Sequence, residues 1–365
     1  MADIFASTID SGFQVTHPAH HKISKVRWAN TETYSDRELL FVTGGWDSGE
    51  NNGIALWALD NPQQDQDTPL DERHPRQLAE IRHSGDLTDL AFTRKAEVVV
   101  SGTSTGYINT YKITRSDDST SANIEEISSV LRHQNTSLNR PVACTSLAVQ
   151  PSFSANPEVV SCGDDGKLVV SRVEDGRTES YDVDAMTVNA ISWASQNQII
   201  IVSSSGRMKL FDRRDLRKPT SVVADEKSDG LNCIAVNPSQ INRIVTGSAT
   251  GGVKVWDLKN LSESTSRNYS VHKSPVWEVL FHPIEPEKVL SCSEDGSCCL
   301  TDWRHSPEES LHYFSLLGSG DQRNPVRPLR NAYNHLGINT LDYHAQAKVL
   351  VAGTDGESLL LDFTI

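Results

Sequence analysis

The chain has 365 residues, 37% of them hydrophobic, and 34 basic residues stand against 48 acidic ones, giving a formal net charge of −14. This charge argues against a dominant phosphate-binding surface, so no direct nucleic-acid partner is expected. No run approaches ~18 apolar residues, and the first residues lack the basic and apolar regions of a secretory signal. The sequence therefore predicts neither insertion into a membrane nor secretion.

The six cysteines and the N-terminal histidines give no metal-binding pattern. The cysteines show no C-x-x-C pair, and without a secretory signal they are expected to be reduced core residues. Residues 1–21 are predicted to hold one strand, 3–9, followed by a solvated linker with His17, His20 and His21, near which no acidic or cysteine partner is placed. No metal and no cofactor is predicted.

Seven similar units follow, each with three strand-length apolar runs separated by Gly, Asp and Pro. This pattern predicts antiparallel strands. The turn glycines before the third run recur at intervals of 40 to 60 residues, from Gly53 to Gly356, as expected for repeated β-propeller blades. The predicted triplets are 22–28, 39–46 and 53–59; 86–92, 97–104 and 107–113; 143–149, 158–164 and 167–173; 188–194, 199–205 and 207–212; 231–238, 243–249 and 252–258; 276–281, 288–293 and 298–303; and 338–344, 348–354 and 357–363.

Weaker segments between the triplets predict the outer fourth strand of six blades. The seventh triplet runs to the end of the chain, so residues 3–9 are predicted to pair with it and close the ring, which removes an exposed edge. The sequence thus predicts an all-β fold, a seven-bladed β-propeller formed as one domain by residues 1–365. The predicted outer strands are 76–82, 124–131, 179–183, 220–224, 267–272 and 310–316.

Three insertions interrupt the repeats. Residues 61–74 and 115–123 are polar and are predicted to be mobile loops. Residues 318–336 differ, because Arg323, Arg327 and Arg330 cluster there in an otherwise acidic chain. Two interpretations stay open for this segment: a solvated loop, or a docking segment for an acidic partner.

The repeats resemble the WD40-repeat family. Trp256-Asp257 has both residues of the family's Trp-Asp pair, and Trp57, Phe211-Asp212 and Leu361-Asp362 occupy the same position. His83 and His272 lie where the family's Gly-His histidine would be. The resemblance implies that His, Ser or Thr, Asp and Trp form a structural hydrogen-bond network in each blade. Because such sets recur and no G-x-S-x-G motif is present, no hydrolase site and no enzyme is predicted.

The rim of the propeller channel is the candidate interaction surface. Alignment of the first strands places one residue of each blade there, small and polar in six blades and tryptophan in the sixth. Trp277 has two open interpretations: an anchor for a protein partner, as tryptophan often is, or a cover for the channel mouth. The seven rim positions are Ser24, Thr88, Thr145, Asn189, Asn232, Trp277 and Asn339.

An ordered set of segments from residue 22 to the C-terminus, including GGWDSGENNG (44–53) and HPIEPEKVLSCSEDGS (282–297), is similar to a family of small WD40 nucleoporins. The resemblance implies a non-enzymatic scaffold subunit of the Y-shaped complex of the nuclear pore, beside a helical-solenoid nucleoporin of its short arm. It also implies support of protein and mRNA transport and, in animals, a kinetochore role. No homo-oligomer is expected. The alternative is a WD40 substrate receptor of a ubiquitin ligase, or a chromatin-associated peptide-binding adaptor.

Overall fold

The structure, a computed structural model, describes residues 14–19, 21–29, 38–47, 49, 52–64, 67–93, 97–115, 122–135, 138–151, 156–173, 177–224, 230–260, 266–305, 326–331 and 336–363. Within these residues thirty strands form seven four-stranded antiparallel sheets and one short hairpin. The seven sheets are the blades of a β-propeller, as predicted. No helix in the described ranges is long and apolar enough to cross a membrane.

The first strand, β1 (Gln14–Pro18), precedes the first blade, and each of blades 1 to 6 follows as four strands consecutive within its sheet. The remaining strands are, for blade 1, β2 (Lys22–Trp28), β3 (Glu38–Trp46), β4 (Gly53–Asp60) and β5 (Arg76–Arg82); for blade 2, β6 (Leu87–Phe92), β7 (Val98–Thr103), β8 (Tyr107–Arg115) and β9 (Ala122–Leu131); for the hairpin between blades 2 and 3, β10 (Gln134–Asn135) and β11 (Arg140–Pro141); for blade 3, β12 (Cys144–Val149), β13 (Glu158–Gly163), β14 (Lys167–Arg172) and β15 (Thr178–Asp182); for blade 4, β16 (Val188–Ser195), β17 (Gln198–Ser203), β18 (Arg207–Asp212) and β19 (Ser221–Ala224); for blade 5, β20 (Leu231–Val236), β21 (Arg243–Ser248), β22 (Gly252–Asp257) and β23 (Arg267–Ser270); for blade 6, β24 (Val276–Phe281), β25 (Lys288–Ser293), β26 (Ser297–Asp302) and β27 (Val326–Asn331); and for blade 7, β28 (Ile338–His344), β29 (Val349–Thr354) and β30 (Ser358–Asp362).

The three inner strands of every blade lie within two residues of the predicted bounds. The sequence predicts them well because the central strands, such as β17 and β29, are buried on both faces and therefore consist of continuous apolar runs. Outer strands such as β5 and β15 are mostly exposed, so their sequences carry a weaker pattern.

The ring is closed by β1 and not by the predicted residues 3–9, which lie outside the described residues. Gln14–Pro18 pairs antiparallel with Ser358–Asp362 along five residue pairs, and the backbone N–H of Ala19 donates to Glu357 O at 2.7 Å. Val15 is buried, and the His17 ring packs edge-on against Trp57 at 5.6 Å. The prediction of a solvated linker is therefore wrong for this stretch, because its inward side chains complete the core between the first and last blades.

The outer strand of blade 6 also differs from the prediction. Val326–Asn331 pairs with Ser297–Asp302, whereas the predicted segment 310–316 lies outside the described residues. Pro328 pairs with Cys299 in this edge strand, and edge strands are where proline is found in sheets. A register shift opposite Cys298 and Cys299 accommodates one extra residue. Residues 318–336 are thus not a loop throughout.

The other two insertions are shorter as loops than predicted. Strand β8 ends at Arg115 and β9 begins at Ala122. Between them only residues 116–121 lie outside the described residues. In the 61–74 segment a 3-10 turn covers Leu70–Glu72, and the guanidinium of the buried Arg73 donates to Asp60 O at the end of β4 at 3.4 Å. This contact ties the segment to the blade, which corrects its interpretation as a mobile loop.

The hydrophobic core is divided into seven clusters, each lying at the seam between two neighbouring blades. The two tryptophans at the Trp-Asp position, in blades 1 and 5, make the same hydrogen bond. Trp57 and Trp256 each donate their indole N–H to a threonine of the neighbouring strand, Thr43 and Thr246, at 2.9 Å. These bonds satisfy the only polar atom of a large buried side chain.

Candidate protein-binding surface

The seven predicted rim positions coincide with a structural feature that recurs in every blade. In each first strand, the register with the second strand shifts by one residue at the rim position. Such β-bulges bend a strand and redirect one side chain. The seven positions that the sequence alignment selected are therefore structurally equivalent, since each lies in a β-bulge.

Small polar rim residues bind the neighbouring blade. Asn189 donates its side-chain amide to Leu231 O at 2.8 Å, and Asn339 donates to Ile23 O at 3.0 Å. Thr145 makes the corresponding bond to Val188 O. Each acceptor directly precedes the bulge residue of the next blade. These bonds therefore connect the first strands of neighbouring blades.

Trp277 replaces such a donor in blade 6 and is 40% exposed. Its strand begins beside Pro275, whose carbonyl accepts a bond from the N–H of the exposed Glu294 at 3.1 Å. An added Cβ on Gly337 would lie only 3.5 Å from Glu294 Cα, so the loop entering blade 7 packs directly against this turn. Leu336 in that loop is 39% exposed. Trp277, Glu294 and Leu336 are exposed residues on the strand start, turn and loop that meet at the seam of blades 6 and 7, and they are called the blade 6–7 patch below.

The three predicted arginines do not join Trp277. Arg323 lies outside the described residues, and Arg327 and Arg330 lie in β27, opposite Leu300 and Cys298 of β26. Since Trp277 is on the innermost strand of blade 6 and β27 is its outermost strand, the two candidate sites lie at opposite edges of one blade.

Two blades contain a complete histidine network. His133 contacts Asp165 Oδ1 at 3.0 Å through Nδ1 and Ser161 Oγ at 2.9 Å through Nε2. Burial favours the protonated carboxyl of Asp165, but hydrogen bonds from His133 and from two backbone amides hold its pKa below the ordinary value. Sequence reasoning missed His133, because the β10–β11 hairpin separates it from the first strand of blade 3.

The equivalent network in blade 6 is formed by His272. Its Nε2 lies 2.8 Å from Ser291 Oγ and its Nδ1 lies 2.7 Å from Ser297 Oγ. Burial lowers the pKa of His272, so the ring is neutral near neutral pH. Ser161 and Ser291 are buried, and no substrate reaches their hydroxyls without opening the blade. The networks therefore hold strands together and are not arranged for nucleophilic attack.

A buried charge network joins the first strands of blades 6, 7, 1 and 2. Arg27 Nη2 lies 2.5 Å from Glu278 Oε1 and 3.4 Å from Asp89 Oδ1. Thr340 donates to Glu278 Oε2 at 2.6 Å, and the N–H of Leu341 donates to the same oxygen at 3.2 Å. Although burial opposes ionisation, Arg27 and Lys25 lower the pKa of Glu278 to about 2. Its fixed negative charge thereby anchors blade 6 to blades 7 and 1.

The cysteines and acidic residues form no chemical site in the described part of the chain. All six cysteines are buried and unpaired, and burial raises the pKa of the Cys162 and Cys233 thiols to about 12. No group of three or more His, Cys, Asp or Glu side chains within the described ranges is arranged to hold a metal ion.

Comparison with known proteins agrees with the blade geometry. The family model "WD domain, G-beta repeat" matches residues 218–257 and 263–302. Nucleoporin Nup43 of Homo sapiens is 32% identical over 381 aligned residues, which cover 93% of this chain and 95% of the human protein. Nucleoporin Nup43 of Mus musculus is 31% identical with the same coverage.

Proposed function

This chain belongs to the Nup43 family of nucleoporins, and we propose that it is a non-enzymatic scaffold subunit of the nuclear pore complex. The observation that carries the proposal is similarity to a nucleoporin across 93% of the chain. The absence of accessible reactive groups in the described histidine networks supports a binding role. A propeller offers such a scaffold a rigid body with loops and strand edges on which other proteins dock.

The proposed partners are the other subunits of the Y-shaped complex, in particular a helical-solenoid subunit of its short arm. The proposed location is the nuclear envelope, where the protein supports protein and mRNA transport by maintaining pore structure. A kinetochore role in mitosis belongs to the same proposal and needs its own localisation experiment in dividing cells.

Affinity purification of the tagged full-length protein tests the proposal, together with its localisation in interphase cells. We expect other Y-complex subunits in stoichiometric amounts and a ring at the nuclear rim. Diffuse nucleoplasmic signal with ubiquitin-ligase or chromatin proteins as the co-purifying chains would contradict the scaffold role and support the alternative of a substrate receptor or chromatin adaptor.

The blade 6–7 patch is our first candidate for the partner interface. Exposed Trp277 and Leu336 supply apolar area beside the carboxylate of Glu294. Burying a tryptophan against a partner contributes ~2 kcal/mol or more at an interaction hot spot. Trp277→Ala should weaken partner binding at least about tenfold, which is ~1.4 kcal/mol, and should lower stability by no more than ~1 kcal/mol, as for surface changes.

Ile284→Ala is the matched control, because Ile284 is 48% exposed in the loop at the opposite end of β24. Affinity and melting temperature are measured for both variants. Weakened binding in the Ile284 variant with intact binding in the Trp277 variant would move the interface to the opposite face. Lost stability with intact binding would make Trp277 a packing residue.

The basic segment at the outer edge of blade 6 is a second candidate contact. We propose that Arg323, Arg327 and Arg330 dock an acidic partner. Reversing all three to Glu should weaken binding without loss of folding, and the difference from wild type should shrink at high salt, since exposed charges are screened over ~8 Å at physiological ionic strength. Equal affinity of wild type and the triple variant at low salt would contradict docking and favour the interpretation of a solvated segment.

A further inference from the structure

A groove of about 660 Å³ opens between blades 1 and 2, at the end of the propeller that carries the rim positions. Blade 1 contributes Gly49 and Arg82 to its walls, and blade 2 contributes Tyr107, Asn109 and Glu126. It lies away from the blade 6–7 patch and from the edge strand of blade 6. Its volume is in the range of sites that bind ligands of several side chains' size.

One of the groove-lining residues is a buried histidine. His83 lines the groove and is 7% exposed, and neither ring nitrogen has a well-formed hydrogen bond among the described residues, where its polar neighbours are the backbone of Ser84 and the carboxylate of Asp86. Ser101 lies at the strand position of Ser161 and Ser291, but its buried hydroxyl neighbours Tyr111 and makes no well-formed bond to His83. An unsatisfied buried polar group costs ~1–3 kcal/mol, so a ligand that supplies the missing bond recovers free energy on binding.

The other histidine networks show which group is missing. In blade 3 the carboxylate of Asp165 lies against His133, and in blade 6 Asp295 Oδ1 lies 3.6 Å from His272 Nδ1. Each aspartate directly precedes the turn glycine of its blade. In blade 2 that position is Thr105, whose hydroxyl instead lies 3.0 Å from Thr103 Oγ1.

The position of Thr105 beside the groove follows from its contact with Gly85. An added Cβ on Gly85, a groove-lining residue, would lie 2.9 Å from Thr105 Cγ2. The neighbouring backbone is fixed: Asn52 donates to Asp86 Oδ1 at 2.8 Å, and the N–H of His83 donates to Asn52 O at 3.1 Å. The backbone around His83 is therefore held in place.

We propose that this groove binds an aspartate or glutamate side chain from an extended segment of a partner protein, with the carboxylate accepting a hydrogen bond from His83. The incoming acid occupies the role that Asp165 and Asp295 have in blades 3 and 6. Exposed Arg82 attracts it, whereas Glu126 on the blade 2 wall and Asp86 next to His83 oppose it, so the hydrogen bond from the histidine and not the net charge of the groove favours binding. The proposal does not depend on the nucleoporin function.

Ring nitrogen resonances of the full-length protein, labelled with ¹⁵N-histidine, test the proposal. The probe is an acetylated and amidated peptide of sequence Gly-Ala-Asp-Ala-Gly, and its counterpart contains Asn in place of Asp. The His83 signals are assigned by their loss in His83→Gln. We expect the acidic peptide to shift them saturably at millimolar concentrations, the Asn peptide to act at least about tenfold more weakly, and His133 and His272 to be unaffected.

Thr105→Asp supplies the carboxylate from within the chain. We expect this variant to melt at a higher temperature and to lose the response of His83 to the peptide, whereas the control Thr105→Asn keeps most of it. Glu126→Gln should strengthen the response, and Arg82→Ala should weaken it. An unshifted His83 in wild type, equal shifts by both peptides, or an unchanged response in Thr105→Asp would each overturn the proposal.

Discussion

Two seams between neighbouring blades differ strongly in the size of their hydrophobic cores. One lies between blades 7 and 1, and the other between blades 2 and 3. The first contains fourteen buried hydrophobic residues, among them Trp28, Phe41 and Trp57. The second contains five: Val100, Ile108, Cys144, Leu147 and Val159. Aromatic rings account for much of the difference, because Trp28 contacts both Phe41 at 4.9 Å and His344 of blade 7 at 5.4 Å.

Hydrogen bonds follow the same contrast. At the blade 7–1 seam the backbone N–H of Trp28 donates to Asp342 Oδ2 at 2.8 Å, and the N–H of Val26 donates to Thr340 Oγ1 at 3.1 Å. At the blade 2–3 seam Asp89 Oδ2 accepts from the N–H of Leu147 at 2.9 Å and from the Ser146 hydroxyl at 2.8 Å. However, the Thr88 hydroxyl in blade 2 is buried without a partner among the described residues.

The chain explains why the two seams differ. Trp28 and Asp342 are 314 residues apart in sequence, whereas Asp89 and Leu147 are 58 apart. The entropy lost on closing a loop grows with its length, and the short connection from β1 to β2 links blade 7 to blade 1 only after β1 has paired with β30. The closing seam must therefore be held by side-chain packing and by β1, while a sequence-local seam tolerates a smaller core.

Removal of the closing strand should have the largest effect on this contrast. Deleting residues 1–18 removes five strand pairs and the buried Val15, so we expect a loss on the order of 5 kcal/mol in the free energy of unfolding. Deleting 1–13 leaves every described pair of β1 in place and is the matched control. Urea denaturation of both truncations measures the strand; equal stability of the two would contradict its role in closure.

Breaking the charge network beside the closing seam should have the next largest effect. Glu278→Ala leaves the half-buried Arg27 without its closest carboxylate, which we expect to cost ~3 kcal/mol, the lower end of the range for a fully buried pair. Glu278→Gln keeps an acceptor for Thr340 and the N–H of Leu341 and should cost less. Asp89→Ala is the comparison variant, because Asp89 faces blade 3 and its Oδ1 lies farther from Arg27 Nη2, at 3.4 Å. A larger loss in Asp89→Ala than in Glu278→Ala would reverse the predicted ranking of the two carboxylates.

The closing seam should also respond to pH through Asp342. Burial raises the pKa of Asp342 to about 6 from 3.8, although Arg27 and two backbone amides act against this rise. The folded state therefore binds the proton more tightly than the unfolded state. The resulting stability is fully present below pH ~4 and is lost as the pH rises through about 6, with a magnitude of ~3 kcal/mol.

Asp342→Asn removes this titration and isolates it from other groups. The difference in unfolding free energy between wild type and Asp342→Asn should change between pH ~4 and ~7, with wild type losing stability relative to the variant. Parallel pH curves for the two proteins would show that Asp342 titrates at its ordinary value.

The smallest expected effect compares two rim threonines on either side of the blade 2–3 seam. Thr88→Val replaces an unpartnered buried hydroxyl and should be neutral or stabilising by up to ~1 kcal/mol. Thr145→Val removes the donor to Cys162 O and Val188 O and should destabilise by ~1 kcal/mol. Thermal unfolding decides; destabilisation of the same size in both variants would mean that Thr88 has a partner of equal value.

The candidate site was predictable only where it repeats. The bulge at Trp277 lies at a position that seven aligned strands share, so comparison within the chain located it. His83 was located in the same way, as a repeat position. Its lack of a well-formed hydrogen bond was not predictable, because this depends on where the Ser101 and Thr105 side chains lie in three dimensions.

The sequence by itself determined the inner three strands of each blade, because their buried faces require continuous apolar runs bounded by turns, and this requirement is local. Only the tertiary structure decided that β1 closes the ring and that β27 completes blade 6. An outer strand has one covered edge and few buried side chains, so several nearby segments satisfy its weak pattern. The choice among them depends on pairing with a strand that lies far away in sequence or across a long insertion, and no local pattern records that pairing.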